Sequence, residues 1–292
     1  MKPLVVDRAD ARRKDEAFLN SLIANDETQV LLVWRSKNHV DGARPPEPVI
    51  STMASLRSLP HAPPIFLGDV DGCPRFAVDI SEVEDPAAAG IEHSFADLRR
   101  AGAFMEASRA KLLGYARAMC RWNRVTRHCE LCAGELRMSH AGFARDCISC
   151  SHKHFPRTDV AVMILVTEGD ECLLARQASW PKGMYSALAG FVEPGESLED
   201  CVHRETGEEV GLSLSTVVYR GSHPWPFPRQ LMVGYECKAT SRDVSLDDEE
   251  LSEFRWCSRE EARDALARKA DFFVPPPLSL AHGLIKAFAA GE

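Results

Sequence analysis

The stretch Gly190-Phe-Val-Glu-Pro-Gly195-Glu-Ser-Leu-Glu-Asp200-Cys-Val-His-Arg-Glu205-Thr-Gly-Glu-Glu-Val210-Gly-Leu212 decides how the rest of the chain is read. Gly190 and Gly195 mark a loop that bends without steric cost. Ser197 stands at a helix N-cap with Asp200 three residues on, a relative of the capping box. Gly211 supplies a left-handed stop. Between these ends Glu205, Glu208 and Glu209 fall on one helix face. Like charges at these spacings repel by roughly 0.2–0.5 kcal/mol per pair, and Gly207 adds about 1 kcal/mol inside the helix. A solvated acidic face is one reading. The other is a divalent cation that turns the repulsion into attraction, and three carboxylates are hard ligands that suit Mg²⁺ or Mn²⁺ better than zinc.

The whole stretch resembles the Nudix box, Gly-x5-Glu-x7-Arg-Glu-U-x-Glu-Glu-x-Gly-U with U a bulky aliphatic residue. Gly190, Glu196, Arg204, Glu205, Glu208, Glu209, Gly211 and Leu212 all fall in place. Thr206 departs from the pattern at the first U position, which faces the domain core, so the departure bears on packing more than on chemistry.

A second cluster is Cys129-x2-Cys132-x14-Cys147-x2-Cys150. Each Cys-x2-Cys turn presents two thiolates to one ion, and two turns complete a tetrahedron. Two such pairs at ribbon spacing point to one structural Zn²⁺ rather than to a redox pair or disulfides. The neighbouring Arg124, Arg127, Arg137, Arg145 and Lys153 suit either a nucleic-acid contact or a solvated basic rim. The other six of the ten cysteines (Cys73, Cys120, Cys172, Cys201, Cys237, Cys257) sit in apolar or helical contexts and read mostly as buried small hydrophobes.

The 292 residues suggest two or more domains. The net charge of −8 argues against general nucleic-acid binding but not against a phosphate ligand bridged by metal ions. No apolar run approaches the ~18 residues of a membrane span, and Met1 to Asn20 does not read as a secretory signal. Free thiols in a cytoplasmic setting are the simpler expectation.

Before the cysteines, Gln29–Arg35, Pro64–Gly68 and Pro74–Ile80 read as strands, with a turn at Asp69–Gly72. From Ser94 the period changes, and Leu98, Phe104, Leu112, Leu113, Ala116 and Met119 suit amphipathic helices to Trp122. After Pro156, Asp159–Val166 reads as a central strand with a hairpin partner over Glu171–Gln177. Further strands are expected at Thr216–Arg220, Leu231–Lys238 and Phe254–Cys257. Helices are expected from Ser258 to about Arg268 and from Ser279 to Ala290. The expected fold class is α/β (α+β): a Nudix α/β/α sandwich over 157–292, preceded by a zinc ribbon over 127–156 and a small mixed α/β domain over 1–126.

Ser222-His-Pro-Trp-Pro-Phe-Pro-Arg-Gln230-Leu-Met232 alternates prolines with Trp225 and Phe227. Prolines stiffen the backbone, so the segment reads either as a structural loop with core aromatics or as a rigid shelf for a planar ring. It resembles the Ser-Gln-Pro-Trp-Pro-Phe-Pro-x-x-Leu-Met motif of NADH pyrophosphatases, with His223 in place of glutamine. That family joins an N-terminal domain, a four-cysteine ribbon and a Nudix domain in this order. The resemblance implies hydrolysis of the pyrophosphate of NADH or NAD⁺ to nicotinamide mononucleotide and AMP by a homodimer with two or three Mg²⁺ or Mn²⁺ ions. It implies metal ligation by Glu205, Glu208, Glu209, the Ala189 carbonyl and Glu250. It pairs Glu196 with Arg204 as a brace. It lines the dinucleotide pocket with His223, Pro224, Trp225, Pro226, Phe227, Pro228, Arg229 and Gln230. Phe155, Arg99 and Ala281 match further substrate contacts. Competing readings are removal of an NAD cap from RNA, a ribbon-based binding protein with a relic Nudix domain, and hydrolysis of ADP-ribose or diadenosine polyphosphates.

Overall fold

In the computed structural model, residues 3–246 and 250–292 are described, and the chain divides into two compact units, Met1–Arg157 and Thr158–Glu292. Among the described residues no helix is long and apolar enough to cross a membrane.

The first unit contains β1 (Val6–Asp7), α1 (Glu16–Ala24), β2 (Gln29–Trp34), β3 (Lys37–Val40), β4 (Ser51–Thr52), β5 (Ile65–Val70), β6 (Cys73–Asp79), β7 (Ser94–Ala96), α2 (Leu98–Ala101) and α3 (Ala107–Val125). Its sheet runs β1-β5-β6-β2-β3-β7, with β4 paired to β2. Val30, Leu32, Phe66, Phe76 and Val78 bury one face, while α3 lies against β2 and β6. The ribbon follows as a three-stranded sheet of β8 (Leu136–Ser139), β9 (Ala144–Cys147) and β10 (Lys153–His154). Two expectations fail here. Ser94 opens a short strand rather than a helix, and Phe104 is 73% exposed between α2 and α3 rather than on their buried face. Short edge strands such as β7 carry too few residues for alternation to register.

The second unit contains β11 (Asp159–Glu168), β12 (Glu171–Arg176), β13 (Leu188–Phe191), α4 (Leu198–Val210), β14 (Leu214–Trp225), β15 (Gln230–Ala239), β16 (Glu253–Ser258), α5 (Arg259–Leu266) and α6 (Leu280–Ala290). The sheet order is β14-β15-β11-β12-β16, with β13 paired to β11. Successive side chains of a strand point to opposite faces. Accordingly Val162, Ile164 and Val166 pack with Cys201, Val202 and Val210 of α4. Ala161, Met163 and Leu165 pack with Ala262, Ala265, Leu284, Ile285 and Phe288 of α5 and α6. The result is the expected α/β/α sandwich. The helix start expected at Ser258 is a full capping box with Glu261, although α5 ends at Leu266 rather than at about Arg268.

The two units repeat one topology. β5-β6-β2-β3-β7 with β4 on β2 has the order of β14-β15-β11-β12-β16 with β13 on β11. In both, the central pair is parallel, β2 with β6 and β11 with β15, and the other pairs are antiparallel. The difference lies between β13 and β14, where α4 stands. The corresponding link between β4 and β5 holds only the 3-10 turn Met53–Leu56, without an acidic side chain.

Candidate active site

α4 begins where the sequence places it. Ser197 Oγ accepts from the Asp200 N–H at 3.1 Å, and Asp200 Oδ2 accepts from the Ser197 N–H at 3.0 Å. It ends on Gly211 at φ 68°. Thr206 is fully buried yet satisfied, because its hydroxyl donates to the Val202 carbonyl at 2.8 Å. A threonine is therefore accepted at the aliphatic position without an orphaned polar atom.

Arg204 organises the acidic face. Its Nε and Nη2 donate to the two oxygens of Glu196 at 2.5 and 3.0 Å, and Nη2 also donates to the Phe191 carbonyl at 2.9 Å. Nη1 donates to Glu205 Oε1 and Glu208 Oε2, both at 2.9 Å. Glu196 also accepts from the Glu193 N–H at 2.9 Å, which pins the loop before the helix. The Arg204 guanidinium, followed by that N–H, pulls the Glu196 carboxyl down to about 2.

Among the described residues Glu209 has no such partner. It is 4% exposed, and its Oε2 is buried without a hydrogen bond. Burial, then the charges of Glu250, Glu205 and Glu208, push its carboxyl up to about 8. Burial also raises Glu205, against the opposing pull of Arg204. Ionised among other carboxylates, Glu209 is unfavourable, so it keeps its proton unless a cation takes the proton's place.

Close approach to β13 completes the cradle. A Cβ on Gly190 would lie 1.7 Å from Glu205 Cδ, so only glycine lets that carboxylate rest on the strand. Ala189 precedes it in β13, opposite Met163 of β11. Glu250 is exposed and accepts from Gln177 Nε2 at 3.4 Å, while its neighbours Asp248 and Glu249 in the matched motif lie outside the described residues. Glu205, Glu208, Glu209 and Glu250 are thus close enough to feel one another's charge, and they are the hard oxygen donors a divalent cation takes, but among the described residues no three of their oxygens are gathered as closely as the ribbon cysteines.

The sequence did not single out the groups beside Glu250. Arg176, 8% exposed, donates to Glu253 Oε1 at 2.7 Å and to the Trp180 carbonyl at 3.1 Å. Tyr185 donates to Glu253 Oε2 at 2.6 Å. The register that pairs Arg176 of β12 with Glu253 of β16 brings these residues together across 77 positions, and nothing local signals it.

The proline-rich segment is part strand and part turn. His223, Pro224 and Trp225 close β14 against Met232, Leu231 and Gln230 of β15, and Pro226 to Arg229 form the turn, with a cis Phe227–Pro228 bond. Trp225 and Phe227 do not form a flat double shelf. Their rings meet at 71° with centroids 4.8 Å apart, and Phe227 is 6% exposed. Trp225 is half-buried and packs on the core cluster that also contains Ala281. Ala281 is fully buried, and its N–H is taken by the Ser279 hydroxyl at 3.2 Å. Arg229 pairs with Asp159 at 2.9 Å. Arg99, at the start of α2, is exposed, and Phe155, just after β10, is 53% exposed; both belong to the first unit.

In the ribbon, Cys132 Sγ lies 3.4 Å from Cys147 and 3.3 Å from Cys150, and Cys129 Sγ lies 3.7 Å from Cys150. A tetrahedron of sulfurs each ~2.3 Å from one ion has edges of about 3.8 Å. The four sulfurs fit that arrangement. Backbone N–H groups of Cys150 and Ser149 draw the Cys147 thiol down to about 6, while the neighbouring cysteine sulfurs push Cys132 up, as expected of close thiols that share protons until a metal displaces them. Of the other cysteines, Cys120, Cys172, Cys201, Cys237 and Cys257 are buried and Cys73 is exposed.

Comparison with known proteins agrees with this arrangement. Residues 157–275 match the family described as "NUDIX domain", and residues 22–122 match "NADH pyrophosphatase-like rudimentary NUDIX domain". Fold and site together define a hydrolase of the Nudix class. The chain is 36% identical over 295 residues to the "NAD-capped RNA hydrolase NudC" of Mycobacterium tuberculosis H37Rv, covering 98% of this chain and 93% of that one. It is 38% identical over 189 residues to the human "NAD-capped RNA hydrolase NUDT12", covering 61% of this chain and 41% of that one. Among solved structures, a NUDIX hydrolase from Nitrosomonas europaea aligns at 22% identity with a TM-score of 0.45, covering 57% of this chain and 92% of that one. The chain belongs to the NudC branch of the Nudix hydrolases, the NADH pyrophosphatase family.

Proposed function

We propose that this enzyme hydrolyses the pyrophosphate bond of NADH and NAD⁺, releasing nicotinamide mononucleotide and AMP. One observation carries the proposal: the buried, unpartnered Glu209 carboxylate among Glu205, Glu208 and Glu250 on a helix braced by Arg204. Glu205, Glu209 and Glu250 would hold Mg²⁺ or Mn²⁺, with Glu208 and the Ala189 carbonyl completing the set. When bound there, the ion supplies positive charge at the phosphates and lowers the pKa of a coordinated water. Arg204 holds Glu205 and Glu208 in place and neutralises part of their charge before any ion arrives. Glu196 fixes Arg204, so the brace resists the repulsion along the helix. Trp225 offers an apolar ring face for a planar base, and the turn around Phe227 holds that ring. The ribbon cysteines would hold one structural Zn²⁺.

A second substrate is favoured by the names of the relatives. Both the mycobacterial and the human protein are called NAD-capped RNA hydrolases. The same pyrophosphate in an NAD cap would be cut by the same carboxylates, with Arg127 and Arg137 near the ribbon available to RNA phosphates. A homodimer in the cytoplasm belongs to the same proposal. The long edge strand β14, where Val218 and Tyr219 are 44% and 58% exposed, supports the dimer.

The test is a panel of NADH, NAD⁺, ADP-ribose and NAD-capped RNA with Mg²⁺ and with Mn²⁺, products read by mass. AMP and nicotinamide mononucleotide from NADH are expected. No turnover of any dinucleotide or capped RNA would contradict the proposal.

A further inference from the structure

Glu130, His152 and His154 lie beside the four cysteines and have no part in the reaction described above. Each offers one ligand atom, and the three atoms lie within 4.8 Å of one another. Glu130 comes from the first Cys-x2-Cys turn, and His154 from β10 with His152 two residues before it, on the same side of the extended chain. Glu130 Oε1 stands 3.9 Å from His152 Nε2 and 3.9 Å from His154 Nδ1. The two imidazoles meet edge to face at 86°, centroids 4.8 Å apart.

The hydrogen bonding of His154 says what is missing between them. Its Nε2 lies 3.4 Å from Cys129 Sγ, and its Nδ1, on a side chain only 8% exposed, is turned toward the Glu130 carboxylate. With Nε2 beside a zinc-bound sulfur that can accept its proton, Nδ1 is the nitrogen left to ligate a second ion. Two imidazole nitrogens and one carboxylate oxygen are a ligand set for zinc and its borderline neighbours rather than for Mg²⁺. Around an ion ~2.0–2.1 Å from each ligand, adjacent ligand atoms are about 3.4 Å apart. Glu130 and His152, 57% and 40% exposed, have room to close about half an ångström at each Glu130 contact and at most about 1.4 Å between the two imidazoles.

Charge acts in the same direction. Four thiolates around one dication leave a net charge of −2, and Glu130 adds another negative charge beside it. Arg157, 70% exposed with Nη2 3.4 Å from Glu130 Oε1, is the present counter-charge and is free to swing into solvent. We propose that Glu130, His152 and His154 form a second metal site, adjacent to the four-cysteine site and specific for a borderline divalent cation such as Zn²⁺ or Co²⁺. It has three protein ligands and one position open to water.

The test uses the purified full chain with its four cysteines loaded with zinc, then titrated with Co²⁺. The wild type should develop visible bands of a tetrahedral nitrogen and oxygen site, without the near-ultraviolet thiolate bands that cobalt in the cysteines would add. His152→Asn and Glu130→Gln, both at exposed side chains, should lose those bands, hold one cobalt fewer per chain, and keep the cysteine-bound zinc by mass spectrometry. Ions on the glutamate helix are common to all three proteins and cancel in the difference. Equal cobalt content and equal spectra in the wild type and a folded variant would overturn the proposal. So would ¹⁵N NMR of the metal-saturated wild type with a proton on both nitrogens of His154. Variants that lose the cysteine-bound zinc as well would also overturn it, because the three residues would then be part of the first site.

Discussion

Gly190 and Glu205 occupy one small volume: the carboxylate carbon of Glu205 lies 1.7 Å from where a Cβ of residue 190 would stand. A glycine on one strand and a glutamate on the neighbouring helix are thus a single functional unit. Gly190→Ala should displace Glu205 from the strand, weaken Mn²⁺ binding and lower NADH turnover by about 10–100-fold. The backbone at residue 190 is extended, so circular dichroism should remain native. Unchanged Mn²⁺ affinity in calorimetry would show that Glu205 tolerates the displacement.

Glu209 makes the stability of the metal-free protein depend on pH. Its folded pKa, about 8, lies above the ordinary 4.5, so the unfolded chain loses this proton first as pH rises. The contribution is fully present below pH ~4.5 and is lost as pH climbs toward 8. Metal-free protein should therefore show a Tm that falls from pH 5 to pH 8, and Glu209→Gln should flatten that fall. A parallel decline in wild type and variant would remove Glu209 from this role.

Metal binding should release a proton from the same group. At pH 7 the Glu209 carboxyl is largely protonated in the free protein, and a ligand carboxylate is not. Calorimetric titration with Mn²⁺ in buffers of different ionisation enthalpy should give release approaching one proton per site, and affinity should rise from pH 6 to pH 8. Buffer-independent heats would contradict this.

The Arg204–Glu196 brace has the opposite sign. The folded pKa of Glu196 is pulled to about 2, so its contribution is present above the ordinary 4.5 and is lost as pH falls from there toward 2. Glu196→Gln should lower Tm at pH 6 and narrow the loss between pH 5 and pH 3. It should also lower kcat more than it raises KM, because Arg204 would no longer be held against Glu205 and Glu208. A kcat equal to wild type would make the brace structural only.

Trp225 should act on binding. Trp225→Leu removes the ring but keeps an apolar side chain on the core, so KM for NADH should rise by about 3–10-fold with little change in kcat, and Trp225→Phe should recover most of the loss. An unchanged KM in the leucine variant would leave the ring as packing alone.

How far these features were legible in the sequence depended on their range. The ends of α4, the three glutamates, the arginine brace and the paired cysteines are local patterns, and each is set by spacing along one helix or one turn. The repeat of the Nudix topology in the first unit was not legible. Its equivalent of α4 has shrunk to Met53–Leu56, so the only motif that marks the fold is gone while the strand order remains. The Arg176–Glu253–Tyr185 cluster was hidden because strand register, not sequence proximity, assembles it. Which reading of the proline-rich segment holds for Phe227, core aromatic or open face, was not legible, because composition gives the aromatic residues but not the turn that buries this one.

The most direct measurement is the turnover of NADH with Mn²⁺ by wild type and Glu209→Gln at equal concentration, with products resolved by mass and Mn²⁺ binding measured on the same samples. The wild type should give equal amounts of AMP and nicotinamide mononucleotide. The variant should lose at least about 100-fold in rate together with bound metal while keeping its fold. A folded variant that cuts NADH as fast as the wild type would contradict the assignment of this acidic helix as the site of hydrolysis.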